Sequence, residues 1–121
     1  MSEKKIRGGS LIARALKDKG VQHVFTLSGG FCNPALEGFM ECQMEVINCP
    51  HEQIAGHIAD GHTRITRKPA VCLVGPEGFA NAVPSMMEAW GERSPVIFIT
   101  GSSSLKRQGS GGFKAVSYTH L

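Results

Sequence analysis

Two runs in this chain, Ala70–Val74 and residues 96–99 (Val96, Ile97, Phe98 and Ile99), are apolar at every position. A strand with one face in water alternates apolar and polar residues. One that is apolar throughout is expected to be buried on both faces, as in a parallel sheet covered by helices. Residues 21–27, with Val21, Val24, Phe25 and Leu27, and residues 44–48 read as two more short strands. Stretches of helical period lie between them. Ser10 is placed to cap a first helix with Leu11, Ile12, Ala15 and Leu16 on its apolar face and Gly20 just past its end. A second helix starts near Asn33, with Pro34 in its first turn and Leu36, Phe39 and Met40 on one face. A third runs from Glu52 to about Ile65 and is expected to bury Ile54, Ala55, Ile58, Ala59 and Ile65. A fourth carries Val83, Met86, Met87 and Trp90. Strand and helix alternate throughout, which predicts a three-layer α/β/α fold around a parallel sheet.

At 121 residues this is at most one domain, and 41% apolar residues suffice for a single core. A net charge of +3, with Lys and Arg scattered, argues against a nucleic-acid or membrane surface. No window approaches the roughly 18 apolar residues of a membrane span. The basic start, Met1 to Arg7, has no apolar run behind it, so no signal peptide is expected. Cys32, Cys42, Cys49 and Cys72 lack CxxC spacing and read as free core thiols of a cytoplasmic protein.

In an open parallel sheet, ligands bind beyond the carboxyl ends of the strands. Four segments fall there: Ser28-Gly29-Gly30, Pro50 to Glu52, Gly75 to Asn81, and Gly101 to Ser103. Three are rich in glycine, which lets backbone approach a ligand closely. The fourth supplies a carboxylate, Glu52, at a helix entrance, where a carboxylate is also simply favourable beside the helix dipole. The histidines do not make a zinc site. HExxH would need His at position 55, which is Ala55, and His57 and His62 are five apart, on different helix faces. Gly56 and Gly61, with Ala55 and Ala59, give the third helix a narrow strip suited to close packing, including between subunits.

The ordered set of residues is similar to a known family. It comprises Gly20-Val21, then Val24 to Gly30, then His51-Glu52-Gln53 with Ala55, Ala59, Gly61 and Arg64, then Gly78 and Asn81, Ser94-Pro95 and Thr100-Gly101. It resembles the amino-terminal, pyrimidine-binding domain of thiamine-diphosphate enzymes of the acetolactate synthase type, with benzaldehyde lyase and 2-hydroxyacyl-CoA lyases as relatives. The resemblance implies that Glu52 hydrogen-bonds the aminopyrimidine ring of thiamine diphosphate and so turns the cofactor into a carbon nucleophile toward 2-oxo acids, ketones and aldehydes. It implies that Ser28, Gly29 and Gly30 border the reacting carbon and that Pro76, Gly78 and Asn81 contact the pyrimidine. Mg2+ and the diphosphate are then expected in a separate domain outside this chain, with a homodimer or tetramer assembled through the helix that begins at Glu52.

Several positions depart from the family. Glu77 stands in the middle of a turn that is usually Gly-Pro-Gly, His62 and Thr63 replace a usual Tyr and small residue, and Ser28 occupies a position often held by Pro or His. Lys114 is the nearest match to a Gln found in many relatives, and carries no assigned role. Residues 115–121 (Ala-Val-Ser-Tyr-Thr-His-Leu) resemble a translated sequencing adapter, so the domain is read as residues 1–114, incomplete at its carboxyl end, followed by a non-native tail. Two other readings stay open from the residues alone: a Rossmann-like nucleotide-binding module, against which the missing GxGxxG counts, and a non-catalytic regulatory homologue.

Overall fold

A computed structural model of the chain describes residues 6–107 and residue 109. Four helices and four strands alternate in order: α1 (Gly8–Asp18), β1 (His23–Thr26), α2 (Asn33–Glu41), β2 (Glu45–Asn48), α3 (Glu52–Thr66), β3 (Ala70–Val74), α4 (Phe79–Gly91) and β4 (Val96–Thr100). A short 3-10 turn, Leu105–Arg107, follows. The strands form one all-parallel sheet in the order β2-β1-β3-β4. Phe25 sits opposite Ile47 on one side and Cys72 on the other. Lys114 and residues 115–121 lie outside the described residues.

The sheet divides two cores. Ala13, Val21, Val24, Phe39, Val71 and Leu73 pack on the face carrying α1 and α2. Phe25, Ala55, Ala59, Cys72, Val74 and Ala82 pack on the face carrying α3 and α4. Neighbouring residues of β1 and β3 go to opposite cores, and β3 is buried at every position, as its all-apolar sequence requires. The three-layer α/β/α arrangement expected from the alternation is therefore present.

The helices meet through small residues, and this overturns several expectations. Helix α1 begins at Gly8 rather than at a Ser10 cap, with Arg7 at the cap position. Ser10 is buried inside the first turn and its hydroxyl donates to Glu41 Oε2 at 2.7 Å. A Cβ at Gly9 would overlap the Pro34 carbonyl, and one at Gly38 would overlap the backbone of Gly9. Backbone-to-backbone approach of α1 and α2 thus excludes bulk from their contact, so Leu11, Ile12, Ala15 and Met40 point outward while Ala13 and Phe39 are sealed. On the other face, Gly56 of α3 lies against Ser85 of α4, where an added Cβ would stand 2.6 Å from the Ser85 Cβ. The buried positions of α3 are Ala55, Gly56, Ala59, Asp60 and Thr63. Ile54, Ile58 and Ile65 are exposed, as are Val83, Met87 and Trp90 of α4. The narrow strip around Gly56 is therefore used within the chain. Gly61 has open space beside it.

Strand β4 is only half-buried, with Ile97 exposed, contrary to the expectation of burial on both faces. It is the outer strand of the described sheet and pairs on one side only. The expected strand at 21–27 shortens to His23–Thr26, although Val21 is fully buried. Each helix hands over to its strand through a residue with positive φ: Gly20 (87°), Gln43 (56°), Arg67 (58°) and Arg93 (56°). This left-handed turn ends a helix by supplying its last carbonyls with amide donors. After α1, Gly20 and Val21 donate to Lys17 and Leu16.

Candidate functional site

All four strands run parallel, so the segments that follow them share one edge of the sheet. Neighbours β1 and β3 send their connections to opposite faces, to α2 and α4 respectively. Such a reversal opens a crevice between the two loops, the usual ligand position in open α/β sheets.

Glu52 is the first residue of α3. The helix starts there because His51, in extended conformation, caps it: His51 Nδ1 accepts the Gln53 amide at 3.2 Å. The Glu52 side chain is 12% exposed, unusually sheltered for an ionisable group. Its Oε2 accepts a hydrogen bond from Asn81 Nδ2 at 3.1 Å, across 29 residues of sequence. Gly78 completes the cradle, since a Cβ there would stand 2.6 Å from Glu52 Cγ and Cδ. Pro76 is buried in the same turn, which Gly78 closes by donating to the Gly75 carbonyl at 3.1 Å. Beneath the carboxylate, the Cys72 thiol is pushed up to about 12, by burial first and then by Cys49 and Glu52. Glu52, Pro76, Gly78 and Asn81 thus come together as one cluster.

Ser28, Gly29 and Gly30 lie at the same edge, after β1, but connect to the end of β2 rather than to Glu52. The Ser28 amide makes a long contact, 3.4 Å, with Asn48 Oδ1. No heavy atom lies within 4 Å of a Cβ built on Gly29 or Gly30, so this backbone is open to a ligand. Three further residues stand near the site, of which Asn48 alone has no place in the sequence analysis. Cys32, buried beside the backbone of Gly29 and Gly101, has its thiol raised chiefly by burial. Asn48 reaches the Ser28 loop, and the Glu77 carboxylate folds back over Gly75. No local pattern marks Asn48, because its contact depends on β1 and β2 being neighbouring strands.

Arg64 secures the far half of α3. It reaches Asp60 at 2.7 Å and Glu88 of α4 at 3.2 Å. Burial alone would raise the Asp60 carboxyl, but the hydrogen bond and charge of Arg64 outweigh it and hold the group below its usual range. A cavity of about 590 Å³ lined by Trp90, Arg93, Ser94 and Val96 lies near the opposite, amino edge of the sheet and has no part in this cluster.

Comparison with known proteins decides the family. The profile of the thiamine pyrophosphate enzyme, N-terminal TPP binding domain, matches residues 6–121. The chain belongs to this family. The domain is 34% identical over 114 residues to a probable acetolactate synthase of Mycobacterium bovis, covering 93% of this chain and 21% of that protein. It is 34% identical over 116 residues to 2-hydroxyacyl-CoA lyase 2 of Mus musculus, covering 94% and 18%. It is 31% identical over 105 residues to sulfoacetaldehyde acetyltransferase of Roseovarius nubinhibens, covering 85% and 17%. The domain thus spans about a fifth of the length of these relatives. Family membership sets aside a Rossmann-like nucleotide module. Among the described residues, no helix is long and apolar enough to cross a membrane.

Proposed function

We propose that this chain is the pyrimidine-binding part of a thiamine-diphosphate enzyme that makes or breaks a carbon–carbon bond next to a carbonyl, with Glu52 as the activating carboxylate. The observation that carries the reading is the sheltered Glu52 carboxylate, held by Asn81 on one oxygen and enclosed by Gly78. A carboxyl group shielded from bulk water shares a proton with a ring nitrogen instead of losing it to solvent, and the donor set suits an aminopyrimidine. When bound, thiamine diphosphate supplies a carbon nucleophile. The chain's part is to hold and polarise the ring through Glu52, to line it with Pro76, Gly78 and Asn81, and to offer the open backbone of Ser28, Gly29 and Gly30 beside the reacting carbon. Mg2+ and the diphosphate are held by a further domain, consistent with relatives about five times as long. The assembly is a homodimer or tetramer using α3, located in the cytoplasm, and the substrate is a small 2-oxo acid or 2-hydroxyacyl compound.

The test is Glu52→Gln in the complete protein. It preserves shape and the Asn81 contact but removes the shared proton. Turnover is expected to fall by at least about a hundredfold, with circular dichroism and oligomeric state unchanged. Near-wild-type turnover would falsify the assignment.

A further inference from the structure

His51 does more than start α3. Its Nδ1 accepts the Gln53 amide, and a ring nitrogen that accepts has no proton. The neutral imidazole bonded in this way therefore carries its proton on Nε2. That nitrogen lies 4.0 Å from Glu52 Oε2, the same oxygen that takes the Asn81 amide. Two donors of the chain are thus gathered about one carboxylate oxygen, while Oε1 lies against Gly78.

Resting on the reading of Glu52 as the activating carboxylate, we propose that His51 is its positioning residue: the helix cap fixes the imidazole tautomer, and the Nε2–H so directed holds Oε2 and leaves Oε1 to the ligand. At 4.0 Å the contact is electrostatic rather than a hydrogen bond, and contacts of this kind tighten when a ligand fills the site. The His51 side chain is 48% exposed, so the effect is severalfold rather than many orders of magnitude.

Two substitutions in the complete protein separate the cap from the donor. His51→Ser keeps a good cap but is too short to present a donor to Oε2. His51→Gln caps poorly but carries an amide N–H on a side chain long enough to reach it. Three readouts apply: kcat at saturating cofactor, cofactor affinity from fluorescence quenching, and hydrogen-exchange protection of the first turn of α3. The expected result is a kcat about fivefold lower in His51→Ser and within about twofold of wild type in His51→Gln. Protection of the first turn shows the reverse order, and cofactor affinity is alike in both. A rate that follows protection, or equal rates in the two variants, overturns the proposal. Glu52→Gln, measured alongside, tells the two levels apart. Wild-type turnover there removes the functional reading and this proposal with it, whereas loss of turnover with either unfavourable pattern at position 51 removes this proposal alone.

Discussion

The setting of Glu52 depends on a side chain that is missing. Gly78 has ordinary right-handed backbone angles, φ −84° and ψ −9°, which alanine adopts freely. The nearest obstacle to alanine is the Glu52 side chain, 2.6 Å from the would-be Cβ. Gly78→Ala therefore isolates the effect of displacing the carboxylate. A shift of about 1 Å in a reacting group costs on the order of a hundredfold in rate. Turnover of the complete protein is expected to drop by ten- to a hundredfold with little change in urea midpoint, and unchanged kcat would show that the cradle is not needed. A second residue, His62, governs a pH response. Burial first, then the neighbouring His23, 4.3 Å away between ring centroids, lowers its pKa below 6.5. Its Nε2 is buried without a hydrogen-bond partner. The unfolded chain takes up this proton first as pH falls, so the His62 contribution is intact above about 6.5 and is lost as pH falls from there toward the folded-state pKa. Urea midpoints at pH 7.5 and 5.5 are expected to differ less in His62→Phe than in wild type; an equal difference would exclude His62 as a source. At this scale Glu52 was locally ambiguous in the sequence. The ordered pattern of residues singled it out, whereas its bond to Asn81 joins two helices and has no local signature.

Among the elements, the kind and order of all four helices and four strands were legible, because period and glycine punctuation are local properties. Which face each helix buries was legible only in part: Phe39, Ala55 and Ala59 are buried as expected, whereas Leu11, Ile12, Met40, Ile54, Ile58 and Ile65 are exposed. Large apolar residues were expected inside, yet the contacts are made by Gly9 and Gly38, and by Gly56 and Ser85, where backbones come too close for bulk. Apolar period marks a stripe on a helix; the small residue beside it decides how near the neighbour comes. The helix ends show a related tension. Gln43, Arg67 and Arg93 hold left-handed angles that cost a non-glycine residue about 1 kcal/mol. Gly20 meets the same demand with the residue suited to it. Arg67, at the C-terminus of α3, is exposed. Arg67→Gly is therefore expected to stabilise the chain by about 0.5–1 kcal/mol in urea unfolding, less the extra freedom glycine gives the unfolded chain. Destabilisation would mean that the arginine side chain contributes more than its backbone strain costs.

For the whole molecule, the small-residue packing has a consequence on the outside. Ile54, Ile58 and Ile65 form a stripe along α3, and Val83, Met87 and Trp90 form one along its neighbour α4, with Ile65 at 85% and Trp90 at 82% exposure. Scattered apolar residues on a surface need no explanation, but two stripes at helical spacing on adjacent helices mark a face suited to association. The proposed subunit contact through α3 uses that face. In a two-fold symmetric dimer each residue is buried twice. Burying a large apolar side chain is worth about 2 kcal/mol, so one lysine placed there costs about 4 kcal/mol per dimer, or roughly a thousandfold in dissociation constant. Ile65→Lys or Trp90→Lys in the complete protein is expected to shift sedimentation at micromolar concentration from the assembled to the monomeric species. The fold should survive, because neither side chain belongs to either core. The two substitutions also test different halves of the face. Dissociation by Ile65→Lys alone would confine the contact to α3, dissociation by both would extend it across α4, and an unaltered sedimentation coefficient in both would place the subunit contact elsewhere.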